Sequence, residues 1–421
     1  MNMDDMVLIS IDDHVIEPPN LFENHVPARY ADRAPRVIHD SDGTDKWVFE
    51  GEVLSAPMAL NAVATWPHDE YGWDPVGYAE VRPGAYDIHE RVRDMNRNGV
   101  FQSMCFPTMA GTNARVFLEP SDREISLVML KAYNDWHVEE WCGTYPGRFI
   151  PLGVVPLWDA DLAAAEVRRL ATKGCRAITF PEAPHVLGLP SFHTDYWDPM
   201  LAAMSDEGSV LCLHIGIGQR AITLAEEVPV DHPTFIGPMV CGMLTATDLI
   251  WGPTLKKFPA LKVALSEGGI GWLSFFLDRI DRHHRIQTWT KQDFGGKKPS
   301  EVLKEHILAC FISDPTGLRD RHEIGVDLLA WESDYPHSDS SWPNSPEDLW
   351  HEFQVTGCTD AEIDKITHQN VARFFDYDPF AIIDKRQATV RSLRALATDV
   401  DVSETSRAEY RRRYEAAVGA S

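Results

Sequence analysis

Short apolar runs recur along the chain, and several of them end in a carboxylate or a histidine. The first run covers Val7–Ile11 and is followed at once by Asp12, Asp13 and His14. β-Branched and apolar residues that give way to charge predict a strand and its carboxyl end. Seven further runs predict strands at residues 100–106, 149–155, 177–180, 210–215, 261–267, 308–313 and 328–334.

Helix-like stretches separate most of these runs. They cover residues 88–98, 121–144, 159–172 and 197–208, and a further one reaches Arg282. Acidic residues at the start of such a stretch and a glycine near its end are typical of helices. Eight strands that alternate with helices predict an α/β fold, the (β/α)8 TIM barrel, with a doubly wound sheet as the alternative.

Two regions interrupt this alternation. Residues 33–86 lack helical periodicity and predict a long insertion after strand 1, with a hairpin over 46–54 that turns at Glu50 and Gly51. From residue 385 the chain is rich in Arg, Ala and Glu, which predicts peripheral helices. We therefore expect one barrel domain over 1–384 and a helical C-terminal extension over 385–421, packed on the barrel's outside or on a partner subunit.

Charge and cysteine content limit the partners. The net charge of -25, from 39 basic and 64 acidic residues, argues against nucleic acid and against anionic membranes. No apolar run approaches the roughly 20 residues of a membrane span, and the N-terminus lacks the features of a signal peptide. The seven cysteines are scattered without a CxxC motif, as in a reduced cytoplasmic protein. The expected partners are a small-molecule substrate and other subunits, in a homo-oligomer or in a hetero-oligomer with a related chain.

The predicted strand ends carry residues that bind metals. Asp12 and His14 are two apart on a strand and can face one point, although an N-cap Asp and a partnered His fit the same pattern. Further strand ends carry His214, Glu267 and Asp334, with His337 just beyond the last. The carboxyl ends of barrel strands surround one mouth, where active sites lie. We therefore predict a site for a divalent metal (Zn, Mn or Fe), bound by Asp12, His14, His214 and Asp334.

Four motifs carry a resemblance to a known family. They are Ile-Asp-Asp-His-Val-Ile-Glu-Pro at 11–18, Leu-His-Ile-Gly at 213–216, Leu-Ser-Glu-Gly-Gly-Ile-Gly-Trp at 265–272 and Glu-Ser-Asp-Tyr-Pro-His-Ser-Asp-Ser at 332–340. Over roughly residues 7–376 the chain resembles the amidohydrolase-related family of the amidohydrolase superfamily, which includes aminocarboxymuconate-semialdehyde decarboxylase. The resemblance implies metal ligands at Asp12, His14, His214 and Asp334, with zinc or manganese usual in the decarboxylases. It also implies that Asp334 is either a ligand or the base for a metal-bound water.

Two positions depart from the family pattern. Asp12 stands where many members have His, which favours harder metals such as Mn²⁺ or Fe²⁺. Glu267 stands where the decarboxylases commonly have a catalytic His. We expect a metal-dependent enzyme that acts on a small carboxylated substrate by hydrolysis or non-oxidative decarboxylation, with Asp334, Glu267 and His337 as catalytic residues.

Two alternatives stay open. A second metal bound by spare donors would make a dinuclear Fe/Mn site and an O₂-dependent monooxygenase, or a subunit of one. Its candidate ligands are Glu267, His283, His284, His337 and Glu17, although the pair His283-His284 also fits a solvated helix end. The other alternative is a non-catalytic partner subunit with a structural metal.

Two residues are candidates for substrate binding. Arg115 can clamp a carboxylate, and Trp66 can line an apolar pocket. A surface arginine and a packing tryptophan are the simpler interpretations of the same residues.

Overall fold

The chain forms two compact units. Unit A comprises Asn2–Val154, Ser333–Pro346 and Phe380–Ser421, and unit B comprises Met1, Val155–Glu332 and Glu347–Pro379. The computed structural model describes residues 1–41, 43–55, 57–72, 74–111, 114–214 and 231–418, without the side chains of 231–238 and 417–418. Residue 215 of the fifth predicted strand and residues 215–216 of the second motif lie outside the described residues. Each unit is described by itself.

The described part of unit A contains six strands: β1 (Leu8–Val15), β2 (Arg36–His39), β3 (Asp45–Phe49), β4 (Glu52–Val53), β5 (Val100–Pro107) and β6 (Leu152–Gly153). β1 and β5 pair in parallel, with His14 opposite Phe106. Every residue of both strands is buried, which explains why they read as continuous apolar runs instead of alternating ones. The carboxyl end of β1 is therefore buried.

The insertion after β1 contains a small antiparallel sheet in the order β2-β3-β4. β3 and β4 form the predicted hairpin, and Glu50 and Gly51 at its turn both have positive φ, 52° and 87°. Two positive-φ residues in a row are typical of a type I′ turn, for which glycine is the favoured second residue. β2 was not predicted, because its residues are half-buried or exposed and carry no apolar run.

The helices of unit A are Ile88–Asn98, Arg123–Trp136, Val390–Arg394 and Arg407–Val418, with a π-helical turn at His137–Trp141. Short 3-10 turns lie at Met3–Asp5, Ala28–Arg33, His68–Glu70, Tyr78–Glu80, Pro83–Ala85, Arg115–Leu118 and Lys385–Gln387. The Ile88–Asn98 helix begins where the Asp87 carboxylate accepts two backbone N–H groups, and it ends at Gly99 with φ of 72°.

The C-terminal extension is helical, as predicted, and it packs within unit A. The backbone N–H of Val390 donates to the carbonyl of Met6 at 2.9 Å. Farther along, Tyr410 packs with Val63 and Trp66 of the insertion in an apolar cluster. The extension therefore binds β1's amino end and the insertion of its own chain.

Unit B contains the parallel strands β7 (Ala177–Thr179), β8 (Val210–His214), β9 (Lys262–Ser266), β10 (Ile307–Phe311) and β11 (Leu329–Trp331), adjacent in that order. Its helices are Ala160–Thr172, Asp198–Glu207, Asp231–Trp251, Thr254–Lys257, Gly271–Ile286, Pro299–His306, Pro315–Arg319, Arg321–Ile324, Asp360–Asp364 and Asn370–Phe374, together with the part of Ser345–Thr356 from Glu347 onward. Short turns at Pro184–Leu187, Thr288–Thr290, Val326–Leu328 and Lys365–Gln369 complete it.

All eight strands that the apolar runs predict are present, as β1 and β5 to β11. The third is much shorter than predicted, since only Leu152–Gly153 of residues 149–155 pairs as a strand. Among the described residues, no helix combines the length and the apolar character needed to cross a membrane.

Candidate metal centre

The buried carboxyl end of β1 carries Asp12 and His14. Both side chains are buried, and His14 Nε2 lies 3.5 Å from Asp12 Oδ1. The two residues converge, as their spacing on a strand predicts. A carboxylate and an imidazole at this distance provide two donor atoms for one cation.

The segment Ser333–Pro346 brings a second carboxylate and a second imidazole to the same place in unit A. The backbone N–H of His337 donates to the carbonyl of Asp334 at 2.9 Å, which folds the segment into a tight turn. Asp334 Oδ1 then lies 2.9 Å from His337 Nδ1 and 3.3 Å from His14 Nε2. The rings of His14 and His337 stack with centroids 3.8 Å apart.

The protonation states of this group suit a metal. Burial, and then the neighbouring His337, lower the pKa of His14 to about 4. Burial opposes ionisation of Asp334, but the neighbouring His337 and His14 outweigh it and hold the pKa of that carboxyl well below its usual range. A neutral imidazole beside an ionised carboxylate is the state in which both bind metals.

The residues present therefore fit a divalent cation. His14, Asp334 and His337 each offer a ligand atom, and these atoms lie within 4.8 Å of one another. Nε2 of His337 is buried and has no hydrogen-bond partner in the described part of the chain. Imidazole nitrogens and a carboxylate oxygen form a donor set that Zn²⁺, Mn²⁺ and Fe²⁺ all accept, so the set does not choose among them.

Unit B places His214 and Glu267 together. His214, at the end of β8, is buried, and its Nε2 lies 3.1 Å from Glu267 Oε2. Glu267 follows β9 and has φ of 58°, in the left-handed region that non-glycine residues rarely adopt. The turn aims a partly exposed carboxylate at the imidazole.

One buried acid of unit B was missed by the sequence interpretation. Glu332 Oε2 accepts the backbone N–H of Glu267 at 3.2 Å and contacts the thiol of Cys310. Glu332 thus supports the turn that presents Glu267. An acidic residue directly after the apolar run 328–331 was the available signal, but the motif drew attention to Asp334 instead.

Glu17, another donor proposed for a second metal, is held by hydrogen bonds within unit A. The Glu17 carboxylate accepts the backbone N–H groups of Thr108, Met109 and Ala110 and the hydroxyl of Tyr133. The metal-ligand group within unit A does not include it.

His283 and His284 belong to the Gly271–Ile286 helix of unit B. Their rings lie against aromatic side chains, that of His283 against Trp251 and that of His284 against Phe294. Among the described residues, neither histidine belongs to a metal-ligand group.

The two candidate substrate contacts differ in their surroundings. Arg115 is half-buried in the turn Arg115–Leu118 of unit A. Trp66 is only 1% exposed, packs with Val63 and Tyr410, and donates from its indole nitrogen to the carbonyl of Glu80 at 3.0 Å. Trp66 therefore belongs to the core formed by the insertion and the C-terminal extension.

The sequence of the chain matches the amidohydrolase family over residues 73–377. Because this stretch covers most of the chain, the protein belongs to that family. It is 23% identical over 280 residues to 2-amino-3-carboxymuconate-6-semialdehyde decarboxylase of Caenorhabditis elegans, a match that covers 56% of this chain and 62% of the relative. The decarboxylase of the same name from Dictyostelium discoideum is 22% identical, over 62% of this chain and 69% of that one.

Solved structures share the fold. An amidohydrolase from Mycobacterium avium subsp. paratuberculosis matches with a TM-score of 0.65 and 20% identity, over 88% of this chain and 99% of that one. The 5-carboxyvanillate decarboxylase of Sphingomonas paucimobilis matches with a TM-score of 0.61 and 18% identity, over 89% of this chain and 100% of that one. The 5-carboxyvanillate decarboxylase of Novosphingobium aromaticivorans was solved in complex with manganese and 4-hydroxy-3-methoxy-5-nitrobenzoic acid. It matches with a TM-score of 0.58 and 17% identity, over 89% of this chain and 99% of that one. These matches confirm the expected α/β TIM-barrel fold of the amidohydrolases.

Proposed function

We propose that this chain is a metal-dependent carboxy-lyase, which releases CO₂ from a small carboxylated aromatic substrate without an external oxidant. The observation that carries the proposal is the buried Asp334 carboxylate between His14 and His337, at 3.3 and 2.9 Å. Amidohydrolase membership and the decarboxylases among the similar proteins support the same reaction class.

The proposed metal ligands are Asp12, His14 and Asp334, with His214 as a further ligand. The assignment of His214 rests on the strand-end pattern of the barrel and on the family resemblance. A divalent cation bound there supplies positive charge that stabilises negative charge on substrate oxygens. We propose one metal per chain. Mn²⁺ is favoured over Zn²⁺ because the proposed ligands, unlike the group of His14, Asp334 and His337, include two carboxylates, those of Asp12 and Asp334.

The reaction also needs a proton. When the bond between the ring carbon and the carboxylate breaks, its electron pair stays on the carbon, CO₂ leaves, and a proton must replace it. We assign this proton to the Glu267 carboxyl, since it is partly exposed and lies beside His214. We assign to His337 the task of orienting the Asp334 carboxylate, because its Nδ1 lies 2.9 Å from Asp334 Oδ1. Arg115, half-buried in unit A, is the proposed contact for the substrate carboxylate.

Hydrolysis is the second candidate, favoured by the chemistry of Glu267 itself. A carboxylate beside His214 can also act as a general base, which would accept a proton from an attacking water. In that case the substrate would carry an amide or ester bond, and no CO₂ would be released.

The test begins with metal-free protein reloaded separately with Mn²⁺, Zn²⁺ or Fe²⁺. Each preparation is incubated without O₂ with carboxylated phenols, and in parallel with carboxylated amides and esters. We expect CO₂ release, about one metal per chain, and one deuterium at the decarboxylated carbon in D₂O. Hydrolysis of the amides or esters without CO₂ would establish the second candidate. A further incubation in air tests for the oxygenase. Two Fe or Mn per chain together with O₂ consumption in that incubation would overturn both candidates and establish the dinuclear oxygenase.

A homo-oligomer in the cytoplasm completes the proposal. All seven cysteines lie among the described residues and none forms a disulfide, as expected in a reducing compartment. Light scattering on the eluting full-length protein measures its mass. A single-chain mass would exclude the oligomer, and association only with a co-expressed related chain would favour the hetero-oligomer.

A further inference from the structure

We infer that Asp13 is a positioning residue for the metal centre, and this inference rests on the proposed function. Asp13 lies between Asp12 and His14 on β1, and its side chain points away from them to a separate set of partners. The carboxylate is fully buried and offers no ligand atom to the metal-ligand group within unit A.

The backbones that carry the ligands are joined directly. The N–H of Asp334 donates to the carbonyl of Asp12 at 2.8 Å, and the N–H of His14 donates to the carbonyl of Tyr335 at 2.7 Å. The distance between His14 and Asp334 therefore depends on the relative position of β1 and the segment 333–335.

The Asp13 carboxylate extends this pairing. Its Oδ1 accepts the backbone N–H of Tyr335 at 3.1 Å and the hydroxyl of Ser10 at 3.0 Å. Ser10 Oγ also lies 2.8 Å from the backbone nitrogen of Ser333, so both N–H groups flanking Asp334 are held from β1. Oδ2 accepts the hydroxyl of Ser103, which ties the same carboxylate to β5.

A buried arginine balances the charge. Arg91 is fully buried, interacts electrostatically with Asp13, and donates from its guanidinium to the carbonyls of Gly84 and His14. A buried carboxylate with four hydrogen-bond donors or counter-charges is costly to disturb. Asp13 thus fixes Asp334 in its left-handed conformation, with φ of 54°, opposite His14.

The decisive variants are Asp13→Ala and Asp13→Asn. Alanine removes every contact, whereas asparagine keeps an oxygen for Tyr335 and Ser10 and presents its amide to the Ser103 oxygen. We expect Asp13→Ala to raise the Kd for Mn²⁺ about 10- to 100-fold, as substitutions behind metal ligands do. We expect Asp13→Asn to keep most of the wild-type affinity for Mn²⁺. We also expect the visible spectrum of the Co²⁺-substituted protein to change in Asp13→Ala and to stay unchanged in Asp13→Asn.

The matched control is Glu80→Ala. Glu80 is also a buried acid of unit A, but it pairs with Arg407. We expect this variant to lose stability while its Mn²⁺ Kd and Co²⁺ spectrum stay at the wild-type values. If Asp13→Ala also loses only stability, Asp13 is merely structural and the inference is overturned.

Failure of the proposed function has a different result. A wild-type chain that binds Mn²⁺, is sensitive to Asp13→Ala and never releases CO₂ contradicts the carboxy-lyase but supports the positioning role. A wild-type chain that takes up no divalent metal contradicts both.

Discussion

His14 and Asp334 come from distant parts of the sequence, and Nε2 of His14 lies 3.3 Å from Oδ1 of Asp334 within unit A. Neither residue is exposed, and His337 lies against both. A carboxylate placed between two buried imidazoles is what the metal proposal depends on most directly.

Replacing Asp334 by Asn removes the charge and keeps the size of the side chain. We expect the Mn²⁺ Kd to rise by about a hundredfold or more, since loss of a ligand exceeds the usual cost of an outer-shell change. Titration of metal-free protein measures it. Asp69→Asn, at an exposed carboxylate of the same unit, is the control and should bind as wild type does. Equal affinity in both variants would remove Asp334 from the ligand set.

Replacing Glu267 by Gln tests its assignment to proton transfer. A general acid or base contributes typically 10²- to 10⁴-fold, so we expect kcat to fall by about 10²-fold or more with metal content unchanged. Steady-state kinetics and elemental analysis together measure both. Glu323→Gln, at an exposed acid of unit B, should leave kcat unchanged. A parallel loss of metal would instead make Glu267 a ligand.

Gly84 lies where a side chain has no room. A Cβ there would be 2.1 Å from Asp94 Oδ2 and 2.7 Å from the hydroxyl of Tyr335. We expect Gly84→Ala to lower the free energy of unfolding by about 1–3 kcal/mol, the usual cost of overpacking. Urea denaturation measures it. Gly72→Ala, whose Cβ meets nothing within 4 Å, should unfold near the wild-type midpoint, and identical behaviour of the two variants would refute the steric argument.

The C-terminal helix neutralises a buried acid. Arg407 lies 3.1 Å from Glu80 Oε2, and Arg411 contacts Oε1 of the same carboxylate. Replacing both arginines by Ala leaves Glu80 buried without them, so we expect a loss of about 3 kcal/mol in the free energy of unfolding. Arg412→Ala, which breaks only an exposed pair with Glu409, should cost less than about 1 kcal/mol. Equal losses from both changes would show that Glu80 does not depend on the helix.

The fold was largely predictable because almost every residue of the barrel strands is buried. Composition alone predicts strands at Val7–Ile11 and Val210–Leu213. Composition does not predict β2, because Arg36–His39 depends on pairing with β3 for its extended conformation. The third strand comprises only Leu152–Gly153. An apolar run indicates that a segment is buried, but it does not determine how many of its residues pair with a neighbouring strand.

The site was predictable only for residues that protrude from a strand end. Asp12 and His14 follow from a two-residue spacing, but the pairing of His337 with Asp334 requires the turn over 334–337. Trp66 suggested a pocket because nothing in the sequence shows that Tyr410 packs against it. Long-range contacts of this kind become visible only in the folded chain.

The left-handed backbone at Glu267 and Asp334 has a consequence for engineering this protein. A non-glycine residue in that conformation costs roughly 1–2 kcal/mol, and glycine avoids this cost. A screen for thermal stability alone would therefore favour glycine at both positions. Each such variant would lose a carboxylate that the proposed chemistry requires.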